Sequence, residues 1–114
     1  MEGVIDHHFR SIYSAIGGVD IFVTEFMRVN DTPLTDKTFL RDCPELSQAQ
    51  PEQASASEKI KSSTSNGTPV RIQLLGSNPA TLAQSAHTAA LLGASAIDLN
   101  FGCPAKQVNN SYGG

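Results

Sequence analysis

Apolar and polar positions follow two periods along this chain, and the switches between them lay out its elements. Phe9, Ile12, Tyr13 and Ile16 recur at helical spacing behind Asp6, a residue suited to an N-cap, and Gly17-Gly18 closes the segment. Val19–Phe26 is strand-like, rich in β-branched and aromatic residues, with Met27-Arg28-Val29 either continuing it or opening a loop. Asn30–Leu34 reads as loop around Pro33, and Asp36–Asp42 as a short helix stopped near Pro44. Ser47–Thr68 changes character: it is a low-complexity polar stretch with almost no large apolar residue except Ile60, expected to be a mobile surface excursion without chemistry. Val70–Leu75 reads as a buried strand ended by Gly76. Asn78 then caps a helix with Pro79 at its first position. Leu82, Ala86, Ala89 and Gly93 track one face of it, Leu91 and Leu92 add apolar area, and Gly93 stops it. Ala96–Leu99 alternates as a strand does.

Strands alternating with helices predict an α/β fold with parallel pairing and right-handed crossovers. Three parallel strands alone would leave edges and faces bare. The chain also opens on a loop-like segment and stops on Gly113-Gly114 with no helix over its last strand. The expectation is a fragment of a larger α/β protein, a barrel. The 114 residues, 39% of them hydrophobic, suffice for one modest core, and the net charge of −3 offers nucleic acid no global attraction, so RNA contact falls to local Lys and Arg. No apolar run reaches the ~18–20 residues of a membrane span. The N-terminus lacks the basic-then-apolar order of a signal peptide. Two cysteines, Cys43 and Cys103, make no disulfide framework, and the expected compartment is the cytoplasm.

The candidate chemistry lies in Ala96–Gly114. Here the strand runs into Asn100-Phe101-Gly102-Cys103-Pro104. Pro104 fixes its own φ and pushes Cys103 toward extended backbone, so the thiol stands on a stiff bend past a strand's carboxyl end, where parallel α/β folds build sites. Lys106 follows, and Asn109, Asn110, Gly113 and Gly114 make a polar loop. His7, His8 and His87 show no ligand spacing with either cysteine, so no metal site is expected. The glycines give no dinucleotide fingerprint.

Met1–Asp6, Thr24–Val29, Arg71–Gly76 and Asp98–Lys106, the last reading DLNFGCPAK, together resemble the tRNA-dihydrouridine synthases. The Met-Glu-Gly opening, Thr24–Arg28 and Cys43-Pro44-Glu45-Leu46 are most similar to the bacterial C-type members, which reduce uridine 16 of the tRNA D-loop. The likeness covers the chain except Ser47–Thr68. It implies residues 1–114 of an FMN-binding TIM barrel, from the end of strand one to the loop after strand four. The rest of the barrel and a C-terminal helical tRNA-binding domain would lie beyond. It further implies FMN as cofactor, NADPH as reductant, tRNA as partner, and a monomer when full length.

The implied reaction adds hydrogen across C5–C6 of a uracil: hydride reaches C6, and a general acid on the opposite face protonates C5. An ordinary thiol, with pKa near ~8.5, carries its proton at neutral pH and can donate it. The resemblance makes Cys103 that acid, against a buried, inert cysteine as the alternative. It places Asn100 on the target base, against a plain Asx-turn, and Gln73 on the flavin, against a solvent-facing strand residue. Met1 and Glu2 match the flavin-binding loop. Arg28 and Lys106 are assigned to tRNA, against ordinary surface cations. Glu25 is given no catalytic role, and Cys43 is read as structural. Two rivals stay open: an FMN oxidoreductase acting on free pyrimidines, like the dihydropyrimidine dehydrogenases, and an inactive fragment or RNA-binding module.

Overall fold

The computed structural model describes residues 3–49, 61–104 and 106. Its elements run α1 (His7–Ile16), β1 (Phe22–Arg28), α2 (Asp36–Asp42), a 3-10 helix (Pro44–Ala49), β2 (Val70–Leu75), α3 (Pro79–Leu91) and β3 (Ile97–Leu99). The strands form one sheet in the order β1-β2-β3, both pairs parallel. This is the α/β arrangement expected, and it suits a stretch of barrel wall.

Alternation along each strand divides the sheet into two faces. Phe22, Met27, Val70, Ile72 and Leu74 form the core together with Phe39, Cys43 and Leu46 from the α2 region and Ala89 and Leu92 from the α3 region. On β2 the intervening Arg71 and Gln73 are exposed and half-buried. β1 begins at Phe22 rather than Val19, because the first ladder bond is from Phe22 N–H to the Pro69 carbonyl, and it continues through Arg28. β1 also carries a bulge: Val23 pairs with Arg71 and Phe26 with Gln73, so Thr24 and Glu25 stand opposite Ile72 alone.

The helix caps follow the sequence. Asp6 accepts from Phe9 N–H, Gly17 (φ 84°) closes α1, and Asn78 accepts from Ala80 and Thr81 N–H ahead of Pro79. Gly76 is required by close approach: a Cβ there would lie 2.5 Å from the Val29 carbonyl oxygen.

Helix orientation departs from the apolar periodicity on α1. On α1 the buried residues are Arg10 and Ser14, while Ile12 and Ile16 are 61% and 74% exposed. The inward face is set by a polar network. The Arg10 guanidinium bonds both Glu45 carboxylate oxygens (2.7 and 3.0 Å) and the carbonyls of Ile5 and Asp42. On α3 the face of Leu82, Ala86 and Ala89 packs on the core as expected, Thr81 and Ser85 are buried beside it, and Leu91 is exposed. Thr81 donates to the Asn30 carbonyl and Ser85 accepts from Leu34 N–H, so this helix turns hydroxyls inward to hold the loop after β1.

The polar stretch read as a surface excursion is tied down at its far end. Ser62 and Thr64 are buried. Ser62 bonds Gly93, Ser95 and Val70, and Thr64 bonds Ser14. Its first residues close the 3-10 helix, and residues 50–60 lie outside the described residues.

Candidate functional site

The carboxyl ends of the strands gather the polar residues. Register puts Phe26 of β1, Gln73 of β2 and Asp98 of β3 abreast. The bulge contributes twice. The Thr24 hydroxyl accepts the Gln73 N–H at 3.0 Å, fixing the Gln73 backbone through a side chain. Glu25 turns to the N-terminal segment, where its Oε1 accepts from the N–H groups of Val4 and Ile5. Burial alone would raise the Glu25 pKa; hydrogen bonds from Gly3, Ile5 and Val4 outweigh it and hold the carboxyl below its usual value. Glu25 therefore anchors the segment that the sequence relates to flavin. Met1 and Glu2 themselves lie outside the described residues.

Gln73 is half-buried and its side chain works in both directions. Nε2 donates to Asp98 Oδ2 at 2.6 Å, and Oε1 accepts from Asn100 Nδ2 at 3.2 Å. Asn100 extends the β3 ladder through its backbone N–H to the Leu74 carbonyl, and its Oδ1 accepts from Gly102 N–H at 3.0 Å. The Asx-turn is thus formed, and it leaves Asn100 one amide hydrogen and one oxygen lone pair uncommitted among these contacts. Gln73 keeps the same capacity. Beyond the turn Cys103 is half-buried and unpaired in any disulfide.

The structure thus joins Gln73 and Asn100 directly and sets Cys103 three residues beyond Asn100, past the end of β3. Arg28 ends β1 opposite Leu75, exposed, its guanidinium 5.7 Å from the centre of the Phe26 ring. Lys106 is exposed. Asp98 and Thr24 were missed by sequence reasoning. The available signal was an acid in the middle of a three-residue strand that otherwise reads as apolar.

Cys43 is the contrasting thiol. It is fully buried, and burial, with Glu45 beside it, pushes its pKa up to about 12. Among the described residues no group of three or more His, Cys, Asp and Glu could hold a metal ion.

The family model described as dihydrouridine synthase (Dus) matches residues 1–114. The chain belongs to the dihydrouridine synthase family. Across its whole length it is 51% identical to the tRNA-dihydrouridine(16) synthases of Vibrio vulnificus and Vibrio parahaemolyticus, and 47% identical to that of Shewanella oneidensis. It spans about a third of the length of these curated relatives (32% in each). Dihydrouridine synthases are flavoproteins, so the polar run at the strand ends is to be judged as part of a flavin site. It fits that use. Gln73 offers one N–H and one lone pair at a half-buried position, enough for the polar edge of a flavin ring, and Glu25 fixes the backbone of Val4 and Ile5 nearby. Among the described residues no helix of this family member is long and apolar enough to cross a membrane.

Proposed function

We propose that this chain is the N-terminal third of an enzyme that reduces a uridine of the tRNA D-loop, position 16 by likeness to its relatives, to 5,6-dihydrouridine. The observation that carries the reading is the run Asp98–Gln73–Asn100–Gly102 across the carboxyl ends of β2 and β3, with the half-buried Cys103 on the bend it braces. When bound, reduced FMN supplies the hydride for C6 of the uracil, and NADPH restores it. The roles of this chain's residues follow from their chemistry. Gln73 bonds the flavin ring, with the Met1–Glu2 segment as its second contact. Asn100 turns its spare donor and acceptor to the imide edge of the uracil, which also offers a donor and an acceptor. Cys103 Sγ gives its proton to C5 and is reprotonated from solvent, so that two electrons and two hydrogens enter the C5–C6 bond. A donor fixed by a proline and an Asx-turn loses little entropy in reaching that position. Arg28 and Lys106, both exposed, meet tRNA phosphate. The full-length protein acts as a cytoplasmic monomer on tRNA.

The test joins residues 1–114 to the remaining two thirds of the Vibrio vulnificus relative and assays dihydrouridine formation on tRNA and reduction of free uracil. Reduction of tRNA alone is expected. Reduction of free uracil at a comparable kcat/KM would overturn the tRNA reading in favour of a free-pyrimidine oxidoreductase. A yellow, folded fusion inactive on both would favour an RNA-binding module.

A further inference from the structure

We propose that Arg10 is a positioning residue for the flavin: aimed by Glu45, its guanidinium holds the Ile5 carbonyl while Glu25 holds the Ile5 N–H, and this double grip sets where the adjoining Met1–Glu2 segment meets the ring. The proposal rests on the flavin contact given to Met1–Glu2 above. A guanidinium is a rigid planar fork, so fixing two of its nitrogens fixes the third. Nε and Nη2 of Arg10 bond the two carboxylate oxygens of Glu45 at 2.7 and 3.0 Å. Nη1 is the remaining corner, and it donates to the Ile5 carbonyl at 2.8 Å. Nη2 also reaches the Asp42 carbonyl at 3.3 Å, which ties the fork to the end of α2. Arg10 is 1% exposed, so water does not compete for these bonds.

Ile5 is in this way bonded through both of its backbone polar groups. Its N–H goes to Glu25 Oε1 at 2.8 Å, and the Val4 N–H goes to the same oxygen. The Gly3 N–H bonds that carboxylate as well. Three consecutive N–H groups converging on one anion make a nest, and Gly3, at φ 79°, takes the left-handed conformation such a concavity uses. The two grips come from different elements, Arg10 from α1 and Glu25 from the β1 bulge. Ile5, Arg10, Glu25 and Phe26 border one cavity of about 310 Å³, and Phe26 is abreast of Gln73. The grip therefore lies one strand away from the residue assigned to the same ring.

Arg10→Lys in the joined protein separates the grip from the fold. A lysine has a single nitrogen to place. It goes to Glu45, because an unpaired buried carboxylate costs more than a half-buried carbonyl that water can reach. The ion pair survives and Ile5 is released. In the flavin-free protein, amide hydrogen exchange at Val4 and Ile5 should quicken about tenfold, the equivalent of one hydrogen bond. The FMN Kd, from titration of the same sample with FMN, should rise by about the same factor. Glu45→Gln reaches the same end by a second route: Arg10 stays, but one of its two acceptor oxygens becomes a donor and the fork loses its aim. Both readouts should move in the same direction. Ser62→Ala, a loss of stability at the amino end of the sheet, should move neither. Unchanged exchange at Val4 and Ile5 in either Arg10→Lys or Glu45→Gln, or an FMN Kd that rises as much in Ser62→Ala, would overturn the proposal. Faster exchange with an unchanged FMN Kd would sustain the grip on Ile5 and instead overturn the flavin contact assigned to Met1–Glu2.

Discussion

Both ends of the three-stranded sheet are lined with polar side chains, and they use them in opposite ways. At the amino end Ser62 donates to the Val70 carbonyl at 2.6 Å and accepts from Ser95 N–H at 2.9 Å, while Ser14, Thr64 and Thr68 bond one another. These are short hydroxyls, Ser62 and Thr64 buried, and they close on the backbone and on each other. At the carboxyl end Gln73 and Asn100 are amides, half-buried, each with capacity left after its internal bonds. A closed network holds the fold, and an open one can hold a ligand. The two cysteines repeat the contrast: Cys43 is sealed in the core, and Cys103 is half-buried on a bend.

Several substitutions probe that contrast. Arg10→Leu should have the largest effect on stability, because it strands the Glu45 carboxylate in the core. The expected loss is about 3–5 kcal/mol, read as a lower urea midpoint. Ser62→Ala removes a donor and an acceptor at once from the amino-end network. It should cost about 1–3 kcal/mol and leave kcat on tRNA unchanged in the joined protein. A fall in kcat without a fall in stability would erase the distinction between the two ends.

Acid should act through Glu45. Burial would raise its pKa, but the hydrogen bonds and charge of Arg10 hold it below the usual 4.5. A carboxyl depressed by folding contributes stability above its unfolded pKa and loses it as pH falls through the folded value. The urea midpoint should therefore be level above about pH 5 and decline below 4.5. Glu45→Gln should flatten that decline. The smallest effect expected is on reactivity alone: at pH 8 iodoacetamide should label Cys103 and spare Cys43, whose pKa near 12 leaves it almost without thiolate. Mass spectrometry of the labelled peptides distinguishes the two.

Much of this was legible in the residues. Asp6, Asn78, Pro79 and Gly76 announce helix starts and a strand end because capping and backbone restriction are local effects. The bend at Asn100–Pro104 could be read for the same reason. Hydrophobic periodicity located α1 but not its inward face, because a buried Arg10–Glu45 pair joins residues 35 apart in sequence. It likewise could not find the hydroxyls of Thr81 and Ser85 turned toward a loop. In the site, Asn100 and Cys103 stood out by sequence context. Asp98 and Thr24 did not, since their meaning lies in ladder register and in a bulge that shifts one strand by a residue against the next.

The central claim is that the Cys103 thiol, held beyond the Gln73–Asn100 pair, protonates the uracil ring. Cys103→Ala in the joined protein tests it directly, with flavin content and single-turnover reduction of tRNA uridine measured on the same sample. The account predicts full flavin occupancy and a rate of dihydrouridine formation lower by about 10²–10⁴. An unchanged rate with flavin retained would contradict it.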